Sequence, residues 1–386
     1  MKWMNRGEEL NEYKAEKLEH EKFYVFGAGD IGRGLYVTLS FFGMFAGFID
    51  NDVQKQKNGF YGQLVQSYQW FLENERDKTL IIAANEANEQ EISRQLREDN
   101  CKFFLSGIFL NSVLPIYFFQ KKKILFMNLA QICVTERCTL RCADCAHGCW
   151  AVDRNAKDME LEEIYVSADL FFSKIDYIHE FVLIGGEPLL YEHLKEAVEY
   201  IGEKYRNKMG TFSITSNGTI LPDQALVDNC KKYRVLFRIS NYVKAIPNLQ
   251  GQYNKLEKIF LKEGVDYHFS KAEEVWWNYG FTDKLQEESE EQLIRKFDRC
   301  MTPCRETRNG KLYFCVMART VSDNLGYHIG ENDFLDLGLL PDGDLGRRIL
   351  LEYNLGYSEK GYLEMCARCH GKDCRNYPVM AARQLR

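Results

Sequence analysis

Cys138, Cys142 and Cys145 form a C-x3-C-x2-C triplet in the run Cys133-Val134-Thr135-Glu136-Arg137-Cys138-Thr139-Leu140-Arg141-Cys142-Ala143-Asp144-Cys145. The triplet follows an apolar stretch, Ile124 to Val134. Three thiolates on one short loop hold three irons of a 4Fe–4S cluster and leave the fourth iron without a protein ligand. An open coordination position separates a reactive metal site from a structural one. The competing chemistry is a zinc knuckle, closed by His147 or Cys149 as fourth ligand. In the cluster reading those two residues flank the site, and are the catalytic candidates: a histidine behind the ligands and a thiol able to donate a hydrogen atom.

The chain has thirteen cysteines, and most are grouped. Cys300, Cys304 and Cys315 form one further group, and Cys366, Cys369 and Cys374 another. Cys101 and Cys230 stand alone and read as buried, inert thiols. Residues Met1 to Leu18 are rich in Glu and Lys and lack an apolar signal region. Without such a signal, clustered cysteines read as metal ligands rather than disulfides. Six cysteines exceed the four that one cluster needs. Zinc is an alternative occupant of such a site.

The elements that must position the triplet alternate between strand and helix. Apolar strands are predicted at Leu125–Val134, Glu180–Ile184, Thr211–Thr215, Val235–Ile239 and Val265–Phe269. Helices are predicted between them at Leu161–Ile175, Tyr191–Tyr205, Gln224–Lys232 and Leu249–Gly264. Such βα repeats make a parallel sheet, and chemistry sits on loops at the C-terminal ends of the strands. The triplet follows the first strand. Gly185-Gly186-Glu187-Pro188 follows the second, Thr215-Ser216-Asn217-Gly218-Thr219 ends the third, and Arg238-Ile239-Ser240 ends the next.

Triplet, GGEP and TSNG, in that order on successive strand ends, resemble the radical S-adenosylmethionine (radical SAM) superfamily over residues 124–270. The resemblance implies a partial (β/α)6 barrel in which SAM completes the cluster on Cys138, Cys142 and Cys145. It further implies that Gly185, Gly186, Glu187, Ser216, Asn217 and Ser240 contact SAM. Reductive cleavage of SAM then yields a 5′-deoxyadenosyl radical that abstracts hydrogen from a substrate. Family triplets usually carry an aromatic residue just before the third cysteine, near the SAM adenine. Here that position is Asp144, so adenine packing must come from elsewhere, with Phe126 one source. The segment Cys300-x9-Gly310-x4-Cys315, with Cys366, Cys369 and Cys374, resembles the SPASM and shorter twitch extensions of radical SAM enzymes. These bind one or two auxiliary 4Fe–4S clusters, and the resemblance implies that a twitch-type site uses Cys300 or Cys304 with Cys315, Cys366 and Cys369.

Upstream, Gly27, Gly29 and Gly32 fit G-x-G-x-x-G between a short apolar strand and a helix. The first glycine permits a tight turn, the second lets backbone approach a phosphate, and the third lets helix pack on strand. Asp50 follows the next strand, where a ribose hydroxyl is usually held. This stretch resembles small Rossmann-like modules of bacterial polysaccharide enzymes, which bind a nucleotide-sugar, bind NAD, or only support the fold. Residues 111–123 read as a connector ending in a solvated lysine triplet.

The fold class expected is therefore α/β. A Rossmann-like doubly wound domain spans 1–110, the partial barrel 124–285, and a cysteine-rich auxiliary-cluster domain 286–386. A net charge of −6 argues against a nucleic-acid partner. No apolar run reaches membrane-spanning length, so a cytoplasmic protein is expected, with no membrane partner. A reductant such as flavodoxin or ferredoxin is an expected partner. Many auxiliary-cluster members modify ribosomal peptides and carry a helix-turn-helix-like leader-binding domain. The Rossmann-like domain here favours a carbohydrate or nucleotide-linked small molecule instead, dehydrogenated or epimerised by an oxidoreductase or epimerase. The alternatives are peptide or protein modification, and an NAD-dependent iron–sulfur oxidoreductase.

Overall fold

The computed structural model describes residues 18, 21–153, 155–272, 274–280, 287–300, 302, 304–327, 329–371 and 376–385. The chain divides into two compact units, 10–128 and 129–386. Among the described residues, no helix is long and apolar enough to cross a membrane.

In the first unit, five strands form one sheet: β1 (Phe23–Phe26), β2 (Phe45–Ile49), β3 (Val65–Gln66), β4 (Thr79–Ile82) and β5 (Lys102–Leu105). Their order is β3-β2-β1-β4-β5 and every pairing is parallel. The winding reverses beside β1, which leaves a crevice at the C-terminal ends of β1 and β4. β1 and β4 are fully buried apolar strands, FYVF and TLII, with Leu35 and Phe48 also in the core. Such continuous apolar runs are what a parallel sheet covered on both faces requires.

The expected connector at 111–123 is instead helical. Residues Ser106–Lys122 alternate α-turns and wider π-turns, and they bury Phe109, Leu110, Val113, Leu114, Ile116, Tyr117 and Phe118. Pro115 hides this helix from sequence reading, because proline lacks the N–H of a regular turn. The wider turns accommodate the interruption.

The second unit holds an eight-stranded sheet. Its strands are β6 (Phe126–Thr135), β7 (Tyr177–Gly185), β8 (Met209–Ser216), β9 (Val235–Ile239), β10 (Tyr267–Phe269), β12 (Cys304–Arg308), β13 (Lys311–Tyr313) and β14 (Phe334–Asp336). The remaining strands, β11 (Val275–Trp277) and β15 (Pro378–Met380), pair antiparallel. The order is β10-β9-β8-β7-β6-β12-β13-β14, parallel through β12 and antiparallel beyond it. From β6 to β10 each strand lies beside its predecessor, the winding of a barrel wall rather than of a doubly wound sheet.

Alternation sorts the two faces. Phe181 and Phe212 stack on one face, where Phe181 meets Phe171 and Phe172 of the helix Leu161–Lys174. Phe237 meets Phe260 of the helix Gln250–Glu263 on the same face. The opposite face of β7, β8 and β9 presents Glu180, Thr211, Ser213, Thr215 and Arg238 by the strand period.

Candidate active site

The triplet sits on the loop after β6, and its sulfurs are met by N–H donors. Cys138 Sγ accepts from the Leu140 amide at 3.4 Å and from Asn217 Nδ2 at 3.5 Å. Cys142 Sγ accepts from Gln384 Nε2 at 3.2 Å. Burial pushes the Cys138 thiol up to about 11 and that of Cys142 up to about 12, against the pull of these donors. Cys145 behaves oppositely, held down to about 7. The Cys149 thiol donates to it, and the amides of His147, Gly148 and Cys149 converge on its sulfur. All three thiols lie within electrostatic reach of one another. Converging N–H groups suit anionic sulfur, so the donor set fits a thiolate-bound cluster.

The GGE segment continues β7 alongside the chain that leaves β6. The Gly186 amide donates to Thr135 O at 2.9 Å, and the Glu187 amide to Arg137 O at 2.9 Å. A Cβ on Gly185 would lie 2.2 Å from Thr135 O, and one on Gly186 2.3 Å from Arg137 O. Both glycines are thus required by close backbone approach. Glu187 is fully buried, and its carboxylate accepts from Ser216 Oγ at 2.8 Å, the Asn217 amide at 2.8 Å and the Leu189 amide at 3.1 Å. Burial raises its pKa to about 7 against these three donors. The carboxylate therefore ties β7 to β8.

Ser216 and Asn217 are engaged the same way. Asn217 Nδ2 reaches Thr139 Oγ1 at 3.0 Å as well as the Cys138 sulfur, so the third strand end braces the cysteine loop. The Ser240 side chain bonds that of Tyr242, and its carbonyl accepts from Tyr253 Oη at 2.9 Å.

Tyr242 was not among the expected site residues. It lies within electrostatic reach of Cys142 and Cys145, and Trp276 stands edge-on to it, ring centroids 5.6 Å apart. Phe126 instead opens the ten-residue β6, at the end away from the cysteine loop, with its ring against Phe118. It is replaced as the neighbouring aromatic by Tyr242. Asp144 accepts from Asn278 Nδ2 at 2.8 Å and pairs with Arg383 at 3.0 Å. Its departure from the family pattern thus has a structural use: it anchors the loop.

His147 and Cys149 lie behind the triplet. His147 Nδ1 is closed to solvent with no hydrogen-bond partner among the described residues, and burial lowers the ring's pKa to about 4, so it is neutral. Cys149 is buried with its thiol turned onto the Cys145 sulfur. Glu136, two residues before Cys138, accepts from Arg308 at 3.2 Å and Asn324 at 3.1 Å, and pairs with buried Arg319 at 2.5 Å. Asn324 also donates to the His147 carbonyl at 2.7 Å. Arg319 also pairs with buried Glu306 of β12. No local signal announces this network, because Glu136 lies 172 to 188 positions from Arg308, Arg319 and Asn324.

The later cysteines separate. Cys300, Cys315, Cys366 and Cys369 lie within electrostatic reach of one another in every pairing. Burial raises Cys315 to about 12 and Cys369 to about 11. Lys296, also buried, donates to Cys366 O at 3.0 Å and Cys369 O at 2.6 Å. Cys304 lies on β12, also within electrostatic reach of Cys315, and its thiol donates to Gln131 Oε1 at 3.0 Å. Cys374 lies outside the described residues. Asn278, bonded to Asp144 of the triplet loop, is followed in sequence by Tyr279, which lies within electrostatic reach of Cys300, Cys315 and Cys369.

The polar sheet face carries side chains that sequence reading passed over. Arg238 Nε donates to Glu180 Oε1 at 2.8 Å, as does Ser213 Oγ at 2.7 Å. Thr211 Oγ1 is closed to solvent without a partner among the described residues. The available signal was Thr211-x-Ser213-x-Thr215, polar alternation inside a parallel strand that should be apolar throughout if both faces were packed.

In the first unit, Gly27 has φ +121°, and a Cβ there would lie 2.3 Å from Ala83 O. A Cβ on Gly32 would lie 2.0 Å from Gly27 O, whereas one on Gly29 meets nothing within 4 Å. Asp50 accepts from the Ala28 amide at 2.8 Å, the Asp52 amide at 2.9 Å and Lys55 Nζ at 2.9 Å. Burial opposes its charge, but these donors outweigh burial and hold its pKa below the usual carboxylate value. Asp50 thus closes the glycine turn.

Residues 132–263 match the Radical SAM superfamily. The chain is 30% identical over 104 residues to GTP 3',8-cyclase of Ectopseudomonas mendocina (strain ymp), a match covering 27% of this chain and 29% of that protein. The chain therefore spans less than a third of that relative's length. Solved structures with similarity include SuiB of Streptococcus suis bound to S-adenosylmethionine, at 18% identity and TM-score 0.31 over 56% of this chain and 49% of that one. BtrN in complex with AdoMet and 2-DOIA matches at 16% identity and TM-score 0.38, over 67% of this chain and 97% of that one. The triplet, the GGE segment and the TSNG segment all fall inside the matched stretch, and residues 132–263 form a radical SAM domain.

Proposed function

We propose that this chain is a radical SAM enzyme that abstracts hydrogen from a polar small molecule, carbohydrate or nucleotide-linked, and oxidises it. The observation that carries the reading is the triplet loop after β6: three thiols within electrostatic reach of one another, each met by N–H donors. Cys138, Cys142 and Cys145 would hold a 4Fe–4S cluster that, with SAM, supplies the 5′-deoxyadenosyl radical. Gly185 and Gly186 let the backbone run close beside the cysteine loop, and Glu187, Ser216 and Asn217 fix the strand ends against it. Tyr242 and Trp276 offer the aromatic wall that the triplet's own sequence lacks.

Cys300, Cys315, Cys366 and Cys369 would hold an auxiliary 4Fe–4S cluster, for which four thiols are the required donor set. An electron acceptor near the radical site supports net dehydrogenation. Epimerisation needs a free hydrogen donor, and the Cys149 thiol is turned onto Cys145. The polar sheet face with Glu180, Ser213 and Arg238 supports a hydroxyl-rich substrate, since carboxylate and guanidinium groups bond hydroxyls in both directions. The strand order of the first unit supports a Rossmann-like module there, with the glycine turn facing a phosphate.

The test is anaerobic incubation of the reduced, iron-loaded protein with SAM. 5′-Deoxyadenosine should form, and a nucleotide-sugar panel should increase its yield over SAM alone. No 5′-deoxyadenosine would overturn the assignment. Stimulation by peptides alone would move the substrate class to ribosomal peptides.

A further inference from the structure

The segment Ala382–Leu385 lies along the cysteine loop as an antiparallel strap. The Ala143 amide donates to Arg383 O at 2.8 Å, and the Leu385 amide to Arg141 O at 2.7 Å. Cys142 and Gln384 face each other as an antiparallel bridge between them. The strap is entered through Ala382, fully buried with φ +56°, a conformation a non-glycine residue keeps only when its surroundings enforce it. Arg383 pairs with Asp144, so the loop is gripped on both sides of Cys142.

Within this strap the Gln384 side chain is fully used. Its Oε1 accepts from the Arg141 amide at 2.9 Å, and its Nε2 donates to Ala382 O at 2.8 Å and to Cys142 Sγ at 3.2 Å. The Arg141 N–H can meet only an acceptor, so the amide has one orientation, and its donor end faces the sulfur.

We propose that Gln384 is a positioning residue of the catalytic cluster: it seats the Cys142 sulfur and raises the cluster's reduction potential through an N–H···S bond. The proposal rests on the reading of Cys142 as a cluster ligand. A hydrogen bond to a ligating sulfur favours the reduced, more negative cluster over the oxidised one. Gln384 is 242 residues from Cys142, so only the fold brings the two together.

The test uses the full chain loaded with iron and sulfide, carrying Gln384→Leu or Gln384→Glu. The cluster whose electron paramagnetic resonance signal changes on adding SAM is titrated with reductant. Gln384→Glu keeps the acceptor for Arg141 but replaces the donor by a negative oxygen. Both variants should bind less readily to electrons: at a fixed ambient potential the ratio of reduced to oxidised cluster falls about tenfold, or ~59 mV for one electron. The glutamate variant should fall furthest. Wild-type potentials in both variants, or lower cluster content with an unchanged potential, would overturn this proposal alone. A wild-type protein with no SAM-responsive cluster would overturn the ligand assignment and this proposal with it.

Discussion

The two cysteine groups are assembled in different ways. The triplet is contributed by eight consecutive residues, 138–145, and its sulfurs receive N–H bonds from Asn217, Gln384 and three successive amides. The later group is gathered from separate segments: the end of the helix Glu290–Arg299, the residue after β13 and Phe314, and the turn Glu364–Arg368 with Cys369. There the buried Lys296 grips the backbone carbonyls of Cys366 and Cys369, while backbone amides reach the sulfurs: Met317 and Ala318 at Cys315, Leu363 at Cys366, and Gly371 at Cys369 at 3.3 Å. A group on one loop with three thiols leaves room for a ligand on the fourth iron. A group with four thiols closes its cluster and suits electron storage. The comparison teaches that ligand count, more than ligand type, divides reactive from passive sites.

The largest expected effect breaks the comparison outright. Replacing Cys138, Cys142 and Cys145 by alanine should abolish 5′-deoxyadenosine formation and leave about four irons per chain, the content of one cluster. Chromatographic assay and iron analysis check this, and residual cleavage would contradict it. Next, Cys315→Ala should remove the other cluster's iron and product formation while SAM cleavage persists. Cys304→Ala should keep both clusters, because its thiol bonds Gln131. Loss of iron from the Cys304 variant would place Cys304 among the ligands after all.

A smaller effect is expected at Glu187. Gln in its place sets an NH2 group against donors from Ser216, Asn217 or Leu189, which should cost about 1–3 kcal/mol by urea denaturation. The wild-type carboxyl titrates near 7 in the fold against an ordinary value of 4.5. Its neutral form is favoured by folding, so its contribution is complete below 4.5 and is lost as pH rises through 7. Urea midpoints should decline over that window, and the glutamine variant should flatten the decline.

The smallest effect concerns the first unit. Gly29 has open space where a side chain would lie, unlike Gly27 and Gly32. Gly29→Val in the full chain should leave the thermal midpoint nearly unchanged and weaken nucleotide-sugar binding measured by calorimetry. Unchanged binding would leave the glycine turn as a scaffold.

By itself the sequence determined what local spacing can carry. The triplet lies on one loop because its members are three and four residues apart. Strand runs such as Val235–Ile239 are apolar except for Arg238, and the observed β9 has those bounds. The order of motifs on strand ends followed, and with it the position of the radical SAM domain. Periodicity failed at Ser106–Lys122, where Pro115 broke the helical pattern while the buried aromatics kept the helix.

Only the tertiary structure decided the rest. It placed Cys304 on β12 with its thiol bonded to Gln131, and engaged Glu187, Asn217 and Asp50 in closing turns and bracing strand ends. It also brought Arg319 to Glu136 and Gln384 to Cys142, across 183 and 242 residues. The physical reason is that carboxylates, amides and thiols have generic hydrogen-bonding capacity. A short sequence window shows that capacity, but the partner that fills it is chosen by the packing of segments distant along the chain.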